Sequence, residues 1–161
     1  MDPRDHRPHV GAVEPTGLDP CDLRIARGDE AVREFEAAAS NVLYPTPEMA
    51  YYNLGEEYRR RKDFRKAEEM YRRVLRFDPR QADALHLMGV LELGRGRREA
   101  ALQLLDQAVE AAPRRGDIHL SRAGALAGLS RAAEALDAFA AACRLVPDMA
   151  IAHHGLGRAL V

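Results

Sequence analysis

The sequence predicts an all-α fold in which antiparallel helix pairs stack into a solenoid. Three observations lead to it: a 34-residue period marked by proline, a helical spacing of apolar residues within each period, and an alanine-rich composition without tryptophan. The period separates Pro45, Pro79, Pro113 and Pro147. A fixed period of this length indicates a repeat architecture, and small side chains favour closely packed helices over an aromatic-rich sandwich of sheets.

The length and the net charge of the chain limit the classes of function that it could have. The chain has 161 residues, 47% of them apolar, and a formal charge of −1, which suits one domain with a core and gives no strong field towards nucleic acid. It has no apolar run near the roughly 18 residues of a spanning helix, so we predict no membrane partner. Without an apolar signal segment in residues 1–10 we predict a cytoplasmic protein; a periplasmic location stays open if the N-terminus is incomplete.

The N-terminal part of the chain is predicted to hold a tail and half of a repeat. Prolines break residues 1–20, which we expect to be a disordered tail. Asp19 followed by Pro20 is typical of a helix start, so a short helix over 19–27 is expected. A helical spacing typical of a second repeat helix then follows at Ala31, Phe35 and Ala38. Residues 21–47 are therefore predicted to form a half-repeat helix and a loop.

The first full repeat is predicted over residues 48–81. Its first helix follows from apolar and small residues at i, i+3, i+4 and i+7: Tyr51, Leu54, Gly55 and Tyr58. Its second helix follows from a similar set after a polar turn: Ala67, Tyr71, Val74 and Leu75. Gly55 and Ala67 leave room for a close approach of the two helices, because a large side chain at either place would push them apart. Pro79 then ends the second helix.

Later units repeat this pattern in register. We predict full repeats over 82–115 and 116–149, and the first helix of an incomplete fourth repeat over 150–161. The small place of the first helix recurs at Gly55, Gly89, Ala123 and Gly157. The large place of the second helix recurs at Tyr71, Leu105 and Phe139. Polar residues replace the usual apolar ones at Glu92, His119 and Arg122.

A 34-residue helix–turn–helix unit with these small, large and proline places resembles the tetratricopeptide repeat family. The resemblance covers about 115 residues in several consecutive units. It implies an α-solenoid in which the first helices of successive units line a concave groove. It also implies that the groove binds a protein or peptide ligand.

Family geometry implies which side chains face the groove. In the first repeat they are Met49, Tyr52, Asn53, Glu56, Arg59 and Arg60. In the second they are Asp83, His86, Leu87, Val90 and Leu93. In the third they are Asp117, Leu120, Ser121, Gly124 and Ala127, and in the fourth Ile151, His154 and Arg158. The groove thus runs from aromatic and charged to apolar and small, which suits an extended peptide or a helix with an apolar stretch.

One known ligand class of this family does not fit these residues. Repeat domains that bind chaperone tails hold a terminal carboxylate with cations and asparagine in the groove. The corresponding places here hold Tyr52, Glu56, Leu87, Asp117 and Ser121. None of these residues supplies a cation, and Glu56 would repel a carboxylate.

We predict a protein-interaction scaffold, and two alternatives stay open. Units 82–115 and 116–149 are similar to repeats that precede bacterial glycosyltransferase domains, so the chain could be a substrate-recruiting segment of a larger enzyme. Residues 41–55 resemble the start of a repeat in type IV pilus biogenesis lipoproteins, which implies a surface-assembly factor. Residues 150–161 keep the apolar pattern without a partner helix, which favours a fragment of a longer array or self-association through this end.

Catalytic and metal chemistry have weak support in the sequence. His6 and His9 stand in a proline-rich stretch without converging ligands, so no metal site is predicted. Cys143 lies on an apolar helical face and is expected to be a structural thiol. The basic run Arg59–Lys62 is interleaved with acidic residues, which indicates solvated charge pairs rather than a nucleic-acid surface. We therefore predict no enzyme activity, no cofactor and no nucleic-acid partner.

Overall fold

A computed structural model of the chain describes residues 20–41, 46–147 and 155, with side chains from residue 28 onward. Within this part of the chain the structure has seven α-helices and no strand. Their bounds are α1 Pro20–Ser40, α2 Pro47–Arg60, α3 Phe64–Phe77, α4 Ala82–Gly94, α5 Arg98–Ala111, α6 Gly116–Gly128 and α7 Ala132–Leu145. The predicted all-α class is confirmed.

Each helix packs on the next one in the chain, and α4 also contacts α6. The turns between helices are short, so consecutive helices run antiparallel. The buried side chains form three clusters. The first joins α2, α3 and α4 and receives side chains of α1, the second joins α5, α6 and α7, and the third joins α4, α5 and α6. The core therefore runs along the stack, as in a solenoid.

Within each pair, a small residue of the first helix lies against a large residue of the second. A Cβ atom added at Gly55 would lie 2.8 Å from Cδ1 of Tyr71, and one added at Gly89 would lie 2.7 Å from Cγ of Leu105. Tyr71 and Leu105 are fully buried. The small places found in the sequence are thus the points of closest approach between paired helices.

Three left-handed residues end the first helices of the pairs, again 34 residues apart. Lys62, Gly96 and Ser130 have φ values of 62°, 77° and 60°. Around Lys62, the amide of Asp63 donates to the carbonyl of Tyr58 (2.9 Å), and the amide of Lys62 donates to that of Arg59 (3.0 Å). This Schellman pattern satisfies the last carbonyls of the helix, and it recurs at Gly96 and Ser130.

Side chains cap the N-terminal ends of two of the helices. The carboxylate of Asp63 accepts from the amide of Lys66 (3.2 Å) at the start of α3, and the amide oxygen of Gln81 accepts from the amide of Ala84 (2.5 Å) at the start of α4. Such caps satisfy amides that have no partner inside the helix. Asp78 accepts from the amide of Arg80 (2.9 Å) in the turn before α4, as expected for an aspartate beside proline.

At the N-terminal end, α1 begins at Pro20 and is longer than the expected helix over 19–27. It continues to Ser40 and packs against α2. Gly28 is buried at the crossing, where an added Cβ would meet Oε1 of Glu57 at 2.6 Å. Arg61 pairs with Asp29 at 2.7 Å across the same crossing.

The structure describes only part of the two chain ends for which predictions were made. Gly155 is helical and lies against the ring of Phe139 of α7. The expected tail over 1–20 lies outside the described residues except for Pro20, and so do Gly157 and most of the fourth repeat. Across the part of the chain that is described, no helix is both long and apolar enough to cross a membrane.

The closest helix approach yields a stability prediction. Gly55→Ala is expected to destabilise the fold, because the new Cβ overlaps a buried ring whose hydroxyl is already held by Glu56 at 2.6 Å. Overpacking costs about 1–3 kcal/mol, against a helix-propensity gain of about 1 kcal/mol. Urea unfolding should therefore show a net loss of about 1 kcal/mol.

Gly124→Ala is the matched control. Gly124 lies inside α6, and a Cβ added there meets nothing within 4 Å. The same substitution should stabilise the protein by up to about 1 kcal/mol, because only the propensity term acts. Equal shifts in the unfolding free energy of the two variants would contradict the packing argument.

Candidate functional site

The predicted groove residues lie on the first helices of the three described pairs. Tyr52, Asn53, Glu56 and Arg59 are on α2; Asp83, His86, Leu87, Val90 and Leu93 are on α4; Asp117, Leu120, Ser121 and Gly124 are on α6. Side chains of α4 and α6 touch each other, and Arg59 of α2 lines one cavity with Val90 of α4. The three helices therefore contribute neighbouring parts of one face. His154 and Arg158 lie outside the described residues.

On α2, the carboxylate of Glu56 is held between two side chains. The Tyr71 hydroxyl donates to it (2.6 Å), and the Arg59 guanidinium donates two hydrogen bonds (2.7 and 3.0 Å). The hydrogen bonds from Arg59 hold the pKa of Glu56 below its usual value, and burial raises the pKa of the Tyr71 hydroxyl. Glu56 is therefore an anion at neutral pH, and Arg59 balances its charge.

Between α4 and α6, one arginine holds two aspartates. Arg115 pairs with Asp83 (2.8 Å) and with Asp117 (2.6 Å), and its hydrogen bonds lower the pKa of Asp117. The two aspartates occupy the same place in consecutive repeats. Sequence reasoning missed Arg115, although two like charges on adjacent helices signal that a cation is needed between them.

His86 joins the same two helices through Ser121. Its Nε2 lies 2.8 Å from the Ser121 hydroxyl, which donates to the carbonyl of Asp117 (3.1 Å). When the hydroxyl proton is used in this way, Nε2 of His86 is the donor to Ser121, which corresponds to the neutral Nε2–H tautomer. Burial is the main cause that lowers the pKa of His86, with Arg115 acting in the same direction.

Serine, histidine and aspartate are the residue types of a nucleophilic triad, but the geometry does not activate Ser121. Nδ1 of His86 is 3.7 Å from the Asp117 carboxylate, beyond hydrogen-bond distance. The serine hydroxyl also lies within hydrogen-bond distance of the carbonyl of Asp117, which competes with the imidazole for its proton. Its backbone amide lies inside α6 and is used by that helix, so it cannot hold an oxyanion. The cluster links α4 to α6.

Two polar side chains of α2 remain available to a ligand. Tyr52 and Asn53 are half-buried on the helix. Within the described part of the chain, neither the Tyr52 hydroxyl nor the Asn53 amide forms a hydrogen bond. The Tyr52 ring lies 6.2 Å from that of Tyr71, in a tilted arrangement. These two residues offer both donors and acceptors to a ligand on this face.

The apolar side chains of the groove differ in how far they pack into the core. Leu87 is half-buried and packs on the first core cluster, and Leu93 and Leu120 pack on the second. Met49 of α2 and Val90 of α4 are exposed, at 52% and 38%. The exposed apolar parts of the face thus lie at the start of α2 and in the C-terminal half of α4.

Polar residues at apolar places of the repeat form ion pairs that link elements. Glu92 is buried and accepts from Arg95 (2.9 Å) and Arg97 (2.7 Å), and Arg95 also pairs with Glu68 of α3 (2.6 Å). Arg122 of α6 pairs with Asp106 of α5 (2.5 Å). Over residues 28–41, 46–147 and 155, the structure holds no group of three or more acidic, histidine or cysteine side chains arranged for a metal ion.

Comparison with known proteins identifies the repeats. A tetratricopeptide repeat model matches residues 49–81, and a second tetratricopeptide repeat model matches residues 86–150. The comparison with curated proteins finds no match.

Solved structures share the fold. MamA 41-end from Desulfovibrio magneticus RS-1 is 23% identical with a TM-score of 0.74, covering 85% of this chain and 76% of that chain. YrrB, described as a TPR protein with an unusual peptide-binding site, is 23% identical with a TM-score of 0.70 (85% and 70%). The second TPR domain of human RPAP3, in complex with an HSP70 peptide, is 19% identical with a TM-score of 0.66 (71% and 95%). At these identities the likeness shows the fold.

The lowered pKa of His86 predicts a pH-dependent stability. Below about pH 6.5 the unfolded chain binds a proton that the folded chain refuses, so the unfolding free energy falls as the pH drops through that value. His86→Gln keeps a donor for Ser121 and does not titrate, so it should lose less stability than the parent between about pH 7.5 and about pH 5.5. Urea unfolding at the two pH values measures the difference.

His119→Gln serves as the control. His119 bonds the carbonyl of Pro113 (2.9 Å) near the surface, so its replacement should leave most of the pH dependence in place. If His86→Gln and the parent lose the same free energy on acidification, burial does not act on His86 as described.

Proposed function

Because the chain belongs to the tetratricopeptide repeat family, we propose that it is a protein-interaction scaffold whose concave face binds a peptide or a partner helix. The face consists of α2, α4 and α6. The observation that supports this most strongly is the pair Tyr52 and Asn53, whose polar groups are half-buried without a hydrogen bond among the described residues. Such groups suit the main chain of an extended peptide, which presents both donors and acceptors.

The linked helices also favour binding. Arg115 and the His86–Ser121 contact fix α4 against α6 before any ligand arrives. A rigid surface loses less conformational entropy on binding than a mobile one. The RPAP3 domain of the same fold is described in complex with a peptide, which supports a peptide as the ligand class.

The charge of the face sets the kind of peptide. On α2 the charges of Glu56 and Arg59 balance, whereas Asp83 and Asp117 outnumber Arg115 across α4 and α6. A free terminal carboxylate is therefore disfavoured in the middle of the face. A neutral or basic stretch of an extended peptide fits this part of the groove better.

The other interpretations drawn from the sequence concern what adjoins these repeats. A substrate-recruiting segment of a larger enzyme and a surface-assembly factor would both use the same concave face. Self-association through residues 150–161 would instead use the end of the stack. These remain predictions.

A random linear peptide library tests the proposal. The immobilised protein should enrich peptides that bind it, and Tyr52→Phe with Asn53→Ala should weaken their binding about tenfold or more. The double variant removes polar groups that have no hydrogen-bond partner among the described residues, so the fold should be unchanged. Fluorescence anisotropy of the enriched peptides measures the dissociation constants.

The control variant changes residues outside the proposed binding face. Gln103 and Gln107 are exposed on α5, a second helix, and their double replacement by alanine should leave binding within about twofold. Failure to enrich any peptide, or peptides that are lost with the α5 variant instead of the α2 variant, would refute groove binding.

A further inference from the structure

A cavity lies where the turn between α2 and α3 meets the C-terminal end of α4. Its volume is about 260 Å³, and its lining consists of Arg59, Phe64, Val90, Leu91, Gly94 and Arg95. Phe64 and Val90 are exposed at 45% and 38%, an unusual state for large apolar side chains that lie together. An apolar cavity of about 150 Å³ already holds benzene, so this one has room for an aromatic side chain.

The repeat itself shows that this cavity is specific to one junction. Gly94 and Gly128 occupy the same place in consecutive repeats, as do Phe64 and Arg98. At the later junction, Arg98 covers Gly128, where an added Cβ would meet Nε of Arg98 at 2.5 Å. At the earlier junction, an added Cβ on Gly94 meets nothing within 4 Å. Phe64 therefore leaves open a space that its counterpart fills.

Two guanidinium groups stand at the cavity, and both are held in place. Arg59 is fixed by Glu56, and Arg95 is fixed by Glu68 and Glu92. A guanidinium held beside an apolar space can stack on an aromatic ring, which adds to the gain from burying the ring. The Phe64 ring offers a further edge-to-face or stacked contact.

Two cations stand close to Phe64 in the chain. Arg65 follows Phe64 and Lys62 comes two residues before it, and within the described residues neither has a carboxylate at ion-pair distance, while Asp63 between them caps α3. Their backbone lies within about two residues of Phe64, at most about 7 Å along the chain, inside the Debye length of about 8 Å at physiological salt. These charges attract acidic groups that approach the cavity.

We propose that this cavity is a specificity pocket that takes one aromatic side chain of a partner peptide, flanked in that peptide by acidic residues. The inference rests on the proposed function, since Arg59 and Val90 are also groove residues. It places an acidic, aromatic anchor at the edge of the groove, whereas the middle of the groove favours a neutral or basic stretch.

Three fluorescein-labelled heptapeptides of defined sequence test the pocket. The first has a central phenylalanine between pairs of glutamates, the second replaces the phenylalanine by alanine, and the third replaces the glutamates by lysines. The first should bind about tenfold or more tightly than either of the others, and its affinity should fall as salt is added. Fluorescence anisotropy with the full chain measures all three.

Gly94→Leu places an apolar side chain at the pocket, and the fold should tolerate it because nothing lies within 4 Å of the added Cβ and the backbone is helical. It should weaken binding of the first peptide about tenfold or more. Gln103→Leu is the control, since it adds the same side chain at an exposed helical position of α5, outside the proposed binding face. It should leave this peptide within about twofold of the parent protein.

The outcomes separate the pocket from the groove. Equal affinity for phenylalanine and alanine peptides, equal affinity for acidic and basic peptides, or no effect of Gly94→Leu would each overturn the pocket. So would a failure of every defined peptide to bind. In those cases, library peptides that depend on Tyr52 and Asn53 would still support the groove, whereas their loss as well would refute both.

Discussion

The close approach of two helices within each repeat is the constraint on which the rest of the structure depends. Gly55 admits the buried ring of Tyr71, and Gly89 admits Leu105 at the same place one repeat later. Because each pair is held at a similar small–large contact, the pairs stack in register and their first helices come to lie side by side. The concave face thus follows from the choice of side chains deep between the helices, far from any ligand.

Ion pairs between charged side chains then link helices and turns that apolar packing does not join directly. Glu92 stands at a place that Tyr58 and Leu126 fill in the other repeats, and it is stabilised by Arg95 and Arg97. Removing one member would leave a buried charge without its partner, which costs far more than the pair contributes when intact. Polar links are directional, so they fix the angle between neighbouring repeats more narrowly than apolar contacts would. The proposed binding of a peptide would benefit from that rigidity.

The sequence was sufficient to predict the repeat architecture, because the 34-residue period, the small residues at the helix contacts and the prolines can each be interpreted from local structural preferences. Paired helices and the buried places Leu54, Tyr71 and Leu105 could be predicted from spacing alone. Features that depend on neighbours could not. The left-handed turn residues Lys62 and Ser130 are not glycine, so their place in the chain shows their conformation only when aligned with Gly96.

In the candidate site, too, some features could be predicted from the sequence and others could not. Spacing predicted that Tyr52, Asp83, Val90 and Ser121 lie on the first helices. It did not predict Arg115, whose role depends on two aspartates from different repeats. A crystal structure with a library-selected peptide bound tests the central claim most directly. The account predicts a peptide that contacts α2, α4 and α6 and passes over Asn53; a peptide seated on α3, α5 or α7 would contradict it.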